Sequence, residues 1–143
     1  MHIVVVGAGA AGFFSAINSA RCDPKNSYTI LEATGKSLTK VLLSGGGRCN
    51  VTHHCFDPLE LVKKYPRGKK ELIGAFSRFQ PKDTCAWFLE EGVRLKVEDD
   101  GRMFPVTNKS QTIINCLLSA AEKYKIKLCK GWFVKSIKLH RMN

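Results

Sequence analysis

The sequence lacks features that would each point to a particular class of protein. No stretch of the 143 residues is apolar for long enough to span a membrane, so we expect no membrane partner. No basic segment precedes the apolar residues at the N-terminus, so we expect no signal peptide. The six cysteines include no C-x-x-C pair. Without a secretory signal, we expect reduced thiols and a cytoplasmic location.

The histidines and cysteines do not predict a metal site. Cys49, His53, His54 and Cys55 lie close together in the sequence. Adjacent histidines and the gap between the two thiols do not fit the usual paired spacings of zinc ligands. We therefore expect no bound metal.

Acidic residues are scarce. There are 12 Asp and Glu against 23 Lys and Arg, which gives a net charge of +11. Such a charge attracts nucleic acid without specificity. The densest basic cluster, with Tyr65 and Phe76 nearby, consists of Lys63, Lys64, Arg67, Lys69 and Lys70. No nucleic-acid-binding motif accompanies it, so a solvated surface, or a fragment whose acidic remainder is missing, is the stronger interpretation.

A glycine turn follows the apolar run at the N-terminus. Ile3 to Val6 has the pattern of a strand buried on both faces of a parallel sheet, and Ala10 to about Ala20 has helical spacing. In the turn, Gly7 permits a tight bend, Gly9 the approach of a pyrophosphate, and Gly12 close packing of the helix. The pattern predicts the start of a dinucleotide-binding domain.

The helix start and a second strand complete this pattern. Backbone N–H groups at Ala10, Ala11 and Gly12 precede the first helical hydrogen bond and suit a phosphate. Tyr28 to Leu31 predicts the second strand, and Glu32 after it can accept the hydroxyls of an adenosine ribose. Glu32 follows Gly12 by about 20 residues, as the fingerprint requires. Because Glu32 would repel a 2′-phosphate, NAD or FAD is expected rather than NADP.

Two further glycine-containing segments follow. Ala33 to Ser37 contains G-K-S, but Ile30 stands where a P-loop needs its first glycine, so we interpret this segment as a turn. Ser44 to Asn50 contains three consecutive glycines and then Arg48. Open backbone N–H groups beside a cation suit a flat or anionic ligand, and the alternative is a flexible hinge.

The segment from Lys40 to Thr52, KVLLSGGGRCNVT, downstream of the GAGAAG turn, resembles the BaiN/RdsA-type NAD(P)/FAD-dependent oxidoreductases. Glu98 to Val106, EDDGRMFPV, is similar to a second segment of that family. The resemblance implies an α/β fold, a Rossmann-like FAD-binding domain with a parallel sheet. Residues 1–143 would be its N-terminal part, with a helical and hairpin excursion at about 55–107.

The resemblance also implies which residues lie along FAD. These are Lys40, Ser44, Gly45, Gly46, Gly47, Arg48, Cys49 and Asn50, with Val134 at the adenine. Thr39 departs from the family, which usually has an arginine there, and this affects one phosphate or flavin contact. Cys49 is a candidate redox partner of the flavin if the cation beside it lowers its pKa, and otherwise a structural thiol.

The activity implied by the resemblance is hydride transfer from NAD(P)H through FAD to a small organic acceptor. No catalytic acid or base is identified. Relatives also have a substrate-side domain and a returning C-terminal segment, which this sequence does not supply. One alternative is therefore a truncated, non-catalytic dinucleotide-binding module that needs a partner chain to complete its FAD domain. A weaker one is a basic nucleic-acid-binding protein.

Periodicity and turn residues predict the remaining elements. The expected helices are 57–65, 69–76, 81–91 and 110–125. The expected strands are 93–98, 102–106, 126–129 and 134–139, the first two joined by a D-D-G turn. In the helix from Pro81, the predicted inner face is Thr84, Cys85, Phe88 and Leu89, with Trp87 off that stripe and packed against a neighbouring segment.

Overall fold

The computed structural model describes residues 1–139, which form two compact units. The first unit comprises Met1–Val41 and the described residues from Leu117 onward, and the second comprises Leu42–Cys116. No helix within residues 1–139 is both long enough and apolar enough to cross a membrane.

The first unit contains a parallel sheet. Its strands, in the spatial order β1-β2-β6, are β1 His2–Val6, β2 Ser27–Glu32 and β6 Lys127–Lys130. Val5 pairs with Ile30, and Ile30 pairs with Leu128. Parallel neighbours need a crossover connection, and α1 (Ala10–Cys22) supplies it between β1 and β2. The predicted parallel sheet and βαβ start are therefore confirmed.

Helix α1 packs against this sheet through one apolar stripe. Phe13 and Ile17, one turn apart, are fully buried, as is Ile30 of β2. The Tyr28 hydroxyl donates a hydrogen bond to the carbonyl of Ser19 at 2.8 Å. Apolar packing and this hydrogen bond together join β2 to the helix.

The second unit contains an antiparallel sheet and several helices. Its strands, in the spatial order β3-β5-β4, are β3 Thr52–His53, β4 Leu95–Val97 and β5 Arg102–Pro105. Antiparallel pairing of β4 with β5 confirms the predicted hairpin. Strand β3 was not predicted, because two residues are too few to show a period.

The helices after α1 are short except for the last. They are α2 Thr39–Leu43, α3 Pro58–Val62, α4 Lys69–Phe76, α5 Pro81–Glu90 and α6 Ser110–Lys123, with a 3₁₀ turn at Ser44–Gly47. Pro81 is the first residue of α5, as predicted. Gly92 has φ +82°, and the N–H of Val93 donates to the carbonyl of Phe88, so the glycine ends the helix as expected.

Two predictions about strands were wrong: β1 is less buried than expected, and the strand expected at residues 134–139 does not form. Strand β1 is not buried on both faces, since Val4 and Val6 are 48% and 59% exposed while the residues between are half-buried. Burial of both faces requires a packed layer on each side, and within residues 1–139 β1 has this on one side only. Residues 134–139 form no strand, because no described strand pairs with them, and Ile137 is 83% exposed.

Helical spacing predicts an inner face for α6 consisting of Ile113, Ile114, Leu117, Leu118, Ala121 and Tyr124, and most of it is buried. Of the four residues predicted for α5, one is buried, and Thr84 and Cys85 are half-buried. In α6, Ile113, Ile114, Leu117 and Ala121 are buried, but Leu118 is 38% exposed. In α5, Phe88 is buried as predicted, whereas Leu89 is 60% exposed. Trp87 is buried with its ring edge against Phe88 at a centroid distance of 4.9 Å. The large indole therefore takes the core position that periodicity gave to Leu89.

Candidate functional site

The glycine turn of the first unit is tightly constrained at two of its glycines. Gly7 has φ +101°, and its N–H donates to the carbonyl of Leu31 at 2.8 Å. A Cβ on Gly12 would lie 1.9 Å from the carbonyl oxygen of Gly7. Glycine at position 12 therefore permits α1 to begin directly against the end of β1.

The N-terminus of α1 is open. Gly9 is its N-cap and supplies no side-chain hydrogen bond, and no acidic residue occupies the first turn. The first helical hydrogen bond runs from the N–H of Phe13 to the carbonyl of Gly9. The N–H groups of Ala10, Ala11 and Gly12 precede this bond, and with the helix dipole they form an electropositive end.

The carboxylate of Glu32 lies beside this turn. Its Oε2 accepts a hydrogen bond from the N–H of Ala8 at 2.9 Å. Its Oε1 accepts from both the N–H and the hydroxyl of Thr34, at 2.9 and 2.8 Å. The N–H of Thr34, then that of Ala8, lowers the pKa of Glu32 below its usual 4.5. The structure thus places an ionised carboxylate at the carboxyl end of β2.

The chain returns to the turn after Glu32. The N–H of Leu38 donates to the carbonyl of Ala8 at 2.9 Å, and Leu38 is buried with φ +58°. Lys40 follows on α2 with its side chain exposed. Val134, the other predicted site residue of the first unit, lies half-buried outside any strand.

In the second unit, Ser44 to Asn50 form a compact loop. The N–H of Cys49 donates to the carbonyl of Ser44 at 3.0 Å, and the three glycines have φ values of +56° to +83°. Gly46 and Gly47 are exposed, and a Cβ on either would meet no atom within 4 Å. Backbone at these two glycines is therefore accessible. These contacts favour a defined loop over the hinge alternative.

The loop packs on β5 and on the residue that follows β4. A Cβ on Gly45 would lie 2.9 Å from the Phe104 ring. The guanidinium of Arg48 lies 4.1 Å from the centroid of the same ring and forms a 2.5 Å ion pair with Glu98. The Asn50 amide, oriented with its nitrogen toward two carbonyls, donates to Met103 at 3.3 Å and to Thr52 at 2.9 Å. The two segments that carried the family resemblance are therefore packed together.

Glu98 and Phe104 were not among the predicted site residues. Both belong to the second family-like segment, and that resemblance was the one signal that could have identified them. The charge and ring of these residues hold Arg48 in place. By contrast, Asp100 of the adjacent turn pairs with Arg102 at 2.6 Å, in agreement with its interpretation as a turn residue.

The hypothesis that Arg48 lowers the pKa of Cys49 was wrong. Cys49 is buried, and burial raises the pKa of its thiol, partly offset by a hydrogen bond to Ser44. The guanidinium of Arg48 is instead paired with Glu98. All six cysteines are free, and within residues 1–139 no group of three or more His, Cys, Asp or Glu side chains is arranged to hold a metal.

Comparison with known protein families identifies the family of this chain. The sequence model described as "HI0933-like protein Rossmann domain" matches residues 1–143. The chain belongs to the HI0933-like Rossmann-domain family. This confirms the resemblance to BaiN/RdsA-type proteins, and it agrees with the parallel sheet of the first unit.

The curated relatives of this chain are much longer than the chain itself. It is 27% identical over 138 residues to a Clostridium scindens protein named 3-dehydro-bile acid delta(4,6)-reductase, covering 96% of this chain and 33% of that protein. It is 30% identical over 125 residues to a Haemophilus influenzae protein named ribosomal RNA dihydrouridine synthase, covering 87% of this chain and 30% of that protein. The chain therefore spans about a third of each relative.

A solved structure with the same fold is that of Thermovibrio ammonificans THI4. The TM-score is 0.62 at 13% sequence identity, and the match covers 98% of this chain and 42% of that one. At this identity the match supports the α/β fold alone.

Proposed function

We propose that the chain supplies the first part of an FAD site in a flavoprotein oxidoreductase, which transfers hydride from NAD(P)H to a small organic acceptor. The observation that carries this proposal is the geometry at the start of α1. Gly12 lies so close to Gly7 that a side chain would not fit, and the uncapped N-terminus of the helix follows a turn that is bonded to the carboxylate of Glu32. When bound, FAD would accept and donate the hydride. The protein's own residues position the cofactor and do not carry the electrons.

Residues of each unit, considered separately, fit part of a dinucleotide. The N–H groups of Ala10, Ala11 and Gly12 suit a pyrophosphate, which is an anion that helix N-termini commonly bind. The open backbone at Gly46 and Gly47 permits close approach of a flat ring. Lys40 and Asn50 would complete the polar contacts implied by the family resemblance.

The geometry at Glu32 refines the expected ribose contact. A carboxylate has about four lone-pair positions. The N–H groups of Ala8 and Thr34 occupy two of these positions, and the Thr34 hydroxyl shares its one proton between Glu32 and the carbonyl of Lys36. Glu32 therefore retains capacity for one or two further donors, so we expect it to bind at least one ribose hydroxyl.

Flavin retention tests this proposal. The chain is incubated with FAD and desalted, and the visible flavin spectrum is recorded for the wild type, Glu32→Ala and Thr34→Val. We expect the wild type and Thr34→Val to retain flavin and Glu32→Ala to lose it, because Thr34→Val removes the hydroxyl contacts with Glu32 and Lys36 and leaves the carboxylate. Bleaching of the retained flavin by NADH or NADPH without oxygen would support the donor.

A folded wild-type chain without flavin would contradict the proposal for this chain. It would favour the non-catalytic module, which needs a partner chain to complete its FAD domain. Folding is checked in the same samples by circular dichroism, so that loss of structure is distinguished from loss of affinity.

A second candidate is an acceptor that is a base in ribosomal RNA. Two relatives, from Haemophilus influenzae and Escherichia coli, are named ribosomal RNA dihydrouridine synthase, and the net charge of this chain is +11. Oxidation of the flavin-loaded, reduced chain by an RNA fragment, and not by the same fragment in duplex form, would support this acceptor. Equal reoxidation rates with and without RNA would exclude it.

A further inference from the structure

The second unit contains a cavity of about 460 Å³ bounded by β3, α3, α4 and the start of α5. This volume lies within the range of about 300–1,000 Å³ that is typical of small-molecule sites. Its walls include three aromatic residues, Tyr65, Phe76 and Phe79. They also include the polar residues His53, Lys64 and Gln80. The predicted dinucleotide contacts use none of these six side chains, although Asn50, which is one of those contacts, also lines the cavity.

The aromatic residues form a partly exposed wall. The Tyr65 and Phe76 rings have centroids 5.5 Å apart, and Tyr65 and Phe79 are 39% and 41% exposed. Large aromatic side chains usually bury most of their surface because each removes much apolar area from water. The exposure of Tyr65 at the cavity leaves part of its ring available to stack on a planar ligand.

Basic residues lie close in the sequence to this aromatic wall. Lys63 is paired with Glu60 at 2.6 Å. Within the described chain, Lys64, Arg67, Lys69 and Lys70 form no ion pair. Lys64 itself lines the cavity. An aromatic wall with an unpaired cation beside it is the combination that binds the bases and phosphates of single-stranded nucleic acids.

His53 adds an acceptor at the cavity wall. Its Nε2 lies 3.2 Å from the carbonyl of Asp100, so Nε2 carries the proton that this bond needs and Nδ1 is left as an acceptor. Nδ1 is buried and has no partner among residues 1–139. A Cβ on Gly101 would lie 2.5 Å from the His53 ring, so this glycine permits the backbone to pack directly on the imidazole.

We propose that this cavity binds a nucleotide, with its base stacked on the wall formed by Tyr65, Phe76 and Phe79 and its phosphate at Lys64. A free nucleotide and an unpaired nucleotide in a single strand share this chemistry. The site goes beyond the proposed flavin function, because the side chains that would hold the base and the phosphate are not among the predicted dinucleotide contacts.

Binding is measured on the full chain without FAD, by fluorescence anisotropy of a labelled short oligouridylate and by competition with uridine 5′-monophosphate or inorganic phosphate. Uridylate is used because an adenine nucleotide would also suit the glycine turn. Tyr65→Leu should weaken binding about tenfold, since one stacked base is lost. Lys64→Gln should reduce the log–log salt slope by about 0.7, the value for one phosphate contact on a single strand.

Lys109→Gln is the matched control, because it removes the same charge in the same unit from an exposed residue outside the cavity. It should bind as the wild type does. Equal losses in Lys64→Gln and Lys109→Gln would show general electrostatic attraction and overturn the proposal. Competition by inorganic phosphate as strong as that by the nucleotide, or an unchanged affinity in Tyr65→Leu, would also overturn it.

Competition distinguishes a free nucleotide from an unpaired nucleotide in a single strand as the ligand. Equal affinity of the monophosphate and the oligonucleotide supports a free nucleotide, and much tighter binding of the oligonucleotide supports a strand. A 4-thiouridine oligonucleotide cross-linked by light gives a readout that needs no variant. Cross-links in the peptide from Leu61 to Gln80 are expected, and cross-links confined to other peptides would contradict the site.

Discussion

The side chains of Arg48 and Glu98 form a 2.5 Å ion pair that joins two segments 50 residues apart in the sequence. The same guanidinium lies over the ring of Phe104. Both side chains are partly exposed, at 36% and 25%, so solvent screens the pair. The pair contributes to the stability of the fold through charge, and it also fixes the position of the loop that carries Arg48.

Glu98→Gln should therefore lower the free energy of unfolding by about 1 kcal/mol, because a partly exposed ion pair is replaced by a neutral contact. Urea unfolding measures this. Asp99→Asn removes the adjacent exposed carboxylate and should change stability by less than about 0.5 kcal/mol. A double-mutant cycle with Arg48→Gln that gives no coupling would contradict the ion pair.

Gly12→Ala should destabilise the chain by about 2 kcal/mol or more, because its Cβ would meet the Gly7 carbonyl oxygen at 1.9 Å and α1 must shift. Gly9→Ala is the matched comparison, since its φ is −88° and its Cβ would meet nothing within 4 Å. Gly9→Ala should lower the melting temperature much less than Gly12→Ala, since it loses only the preference for glycine at the N-cap. Equal melting temperatures for the two variants would show that the close contact is not required.

The Glu32 carboxyl should titrate below its usual pKa of 4.5, because N–H groups of Thr34 and Ala8 stabilise its charged form. A carboxylate with a depressed folded pKa stabilises the fold above its unfolded pKa. That contribution is lost as the pH falls through the folded value. Carboxyl NMR measures the titration. Thr34→Val should raise the pKa only in part, since both backbone donors remain, and Thr34→Ser should leave it unchanged.

The thiols should differ in reactivity according to burial. Burial, with the charge of Glu91 as the smaller cause, raises the pKa of Cys116 to about 11, and burial also raises that of Cys49. At pH 8 the thiolate fraction of Cys116 would be about 0.1%, and the thiolate is the reactive form. Mass spectrometry after brief treatment with iodoacetamide should find exposed Cys22 modified first. Rapid modification of Cys49 in the folded chain would contradict its burial.

Local patterns predicted much of the fold. The start from β1 to β2 could be predicted because the spacing of Phe13 and Ile17 and the three glycines of the turn encode a helix packed closely on a strand. Helix ends at Pro81 and Gly92 were equally local, since both residues restrict or permit particular φ values. The strand predicted at residues 134–139 failed because a strand depends on a partner, which local alternation does not report.

The sequence by itself determined that an open helix end, a nearby carboxylate and a glycine loop would be present, because stereochemistry at Gly12 and the position of Glu32 depend on near neighbours. Only the tertiary structure decided that Arg48 pairs with Glu98 and that Cys49 is buried. It also decided that Tyr65 lies beside His53 on one cavity. These contacts join residues distant in the chain, and their formation depends on how the hairpin and helices pack, which no periodicity encodes.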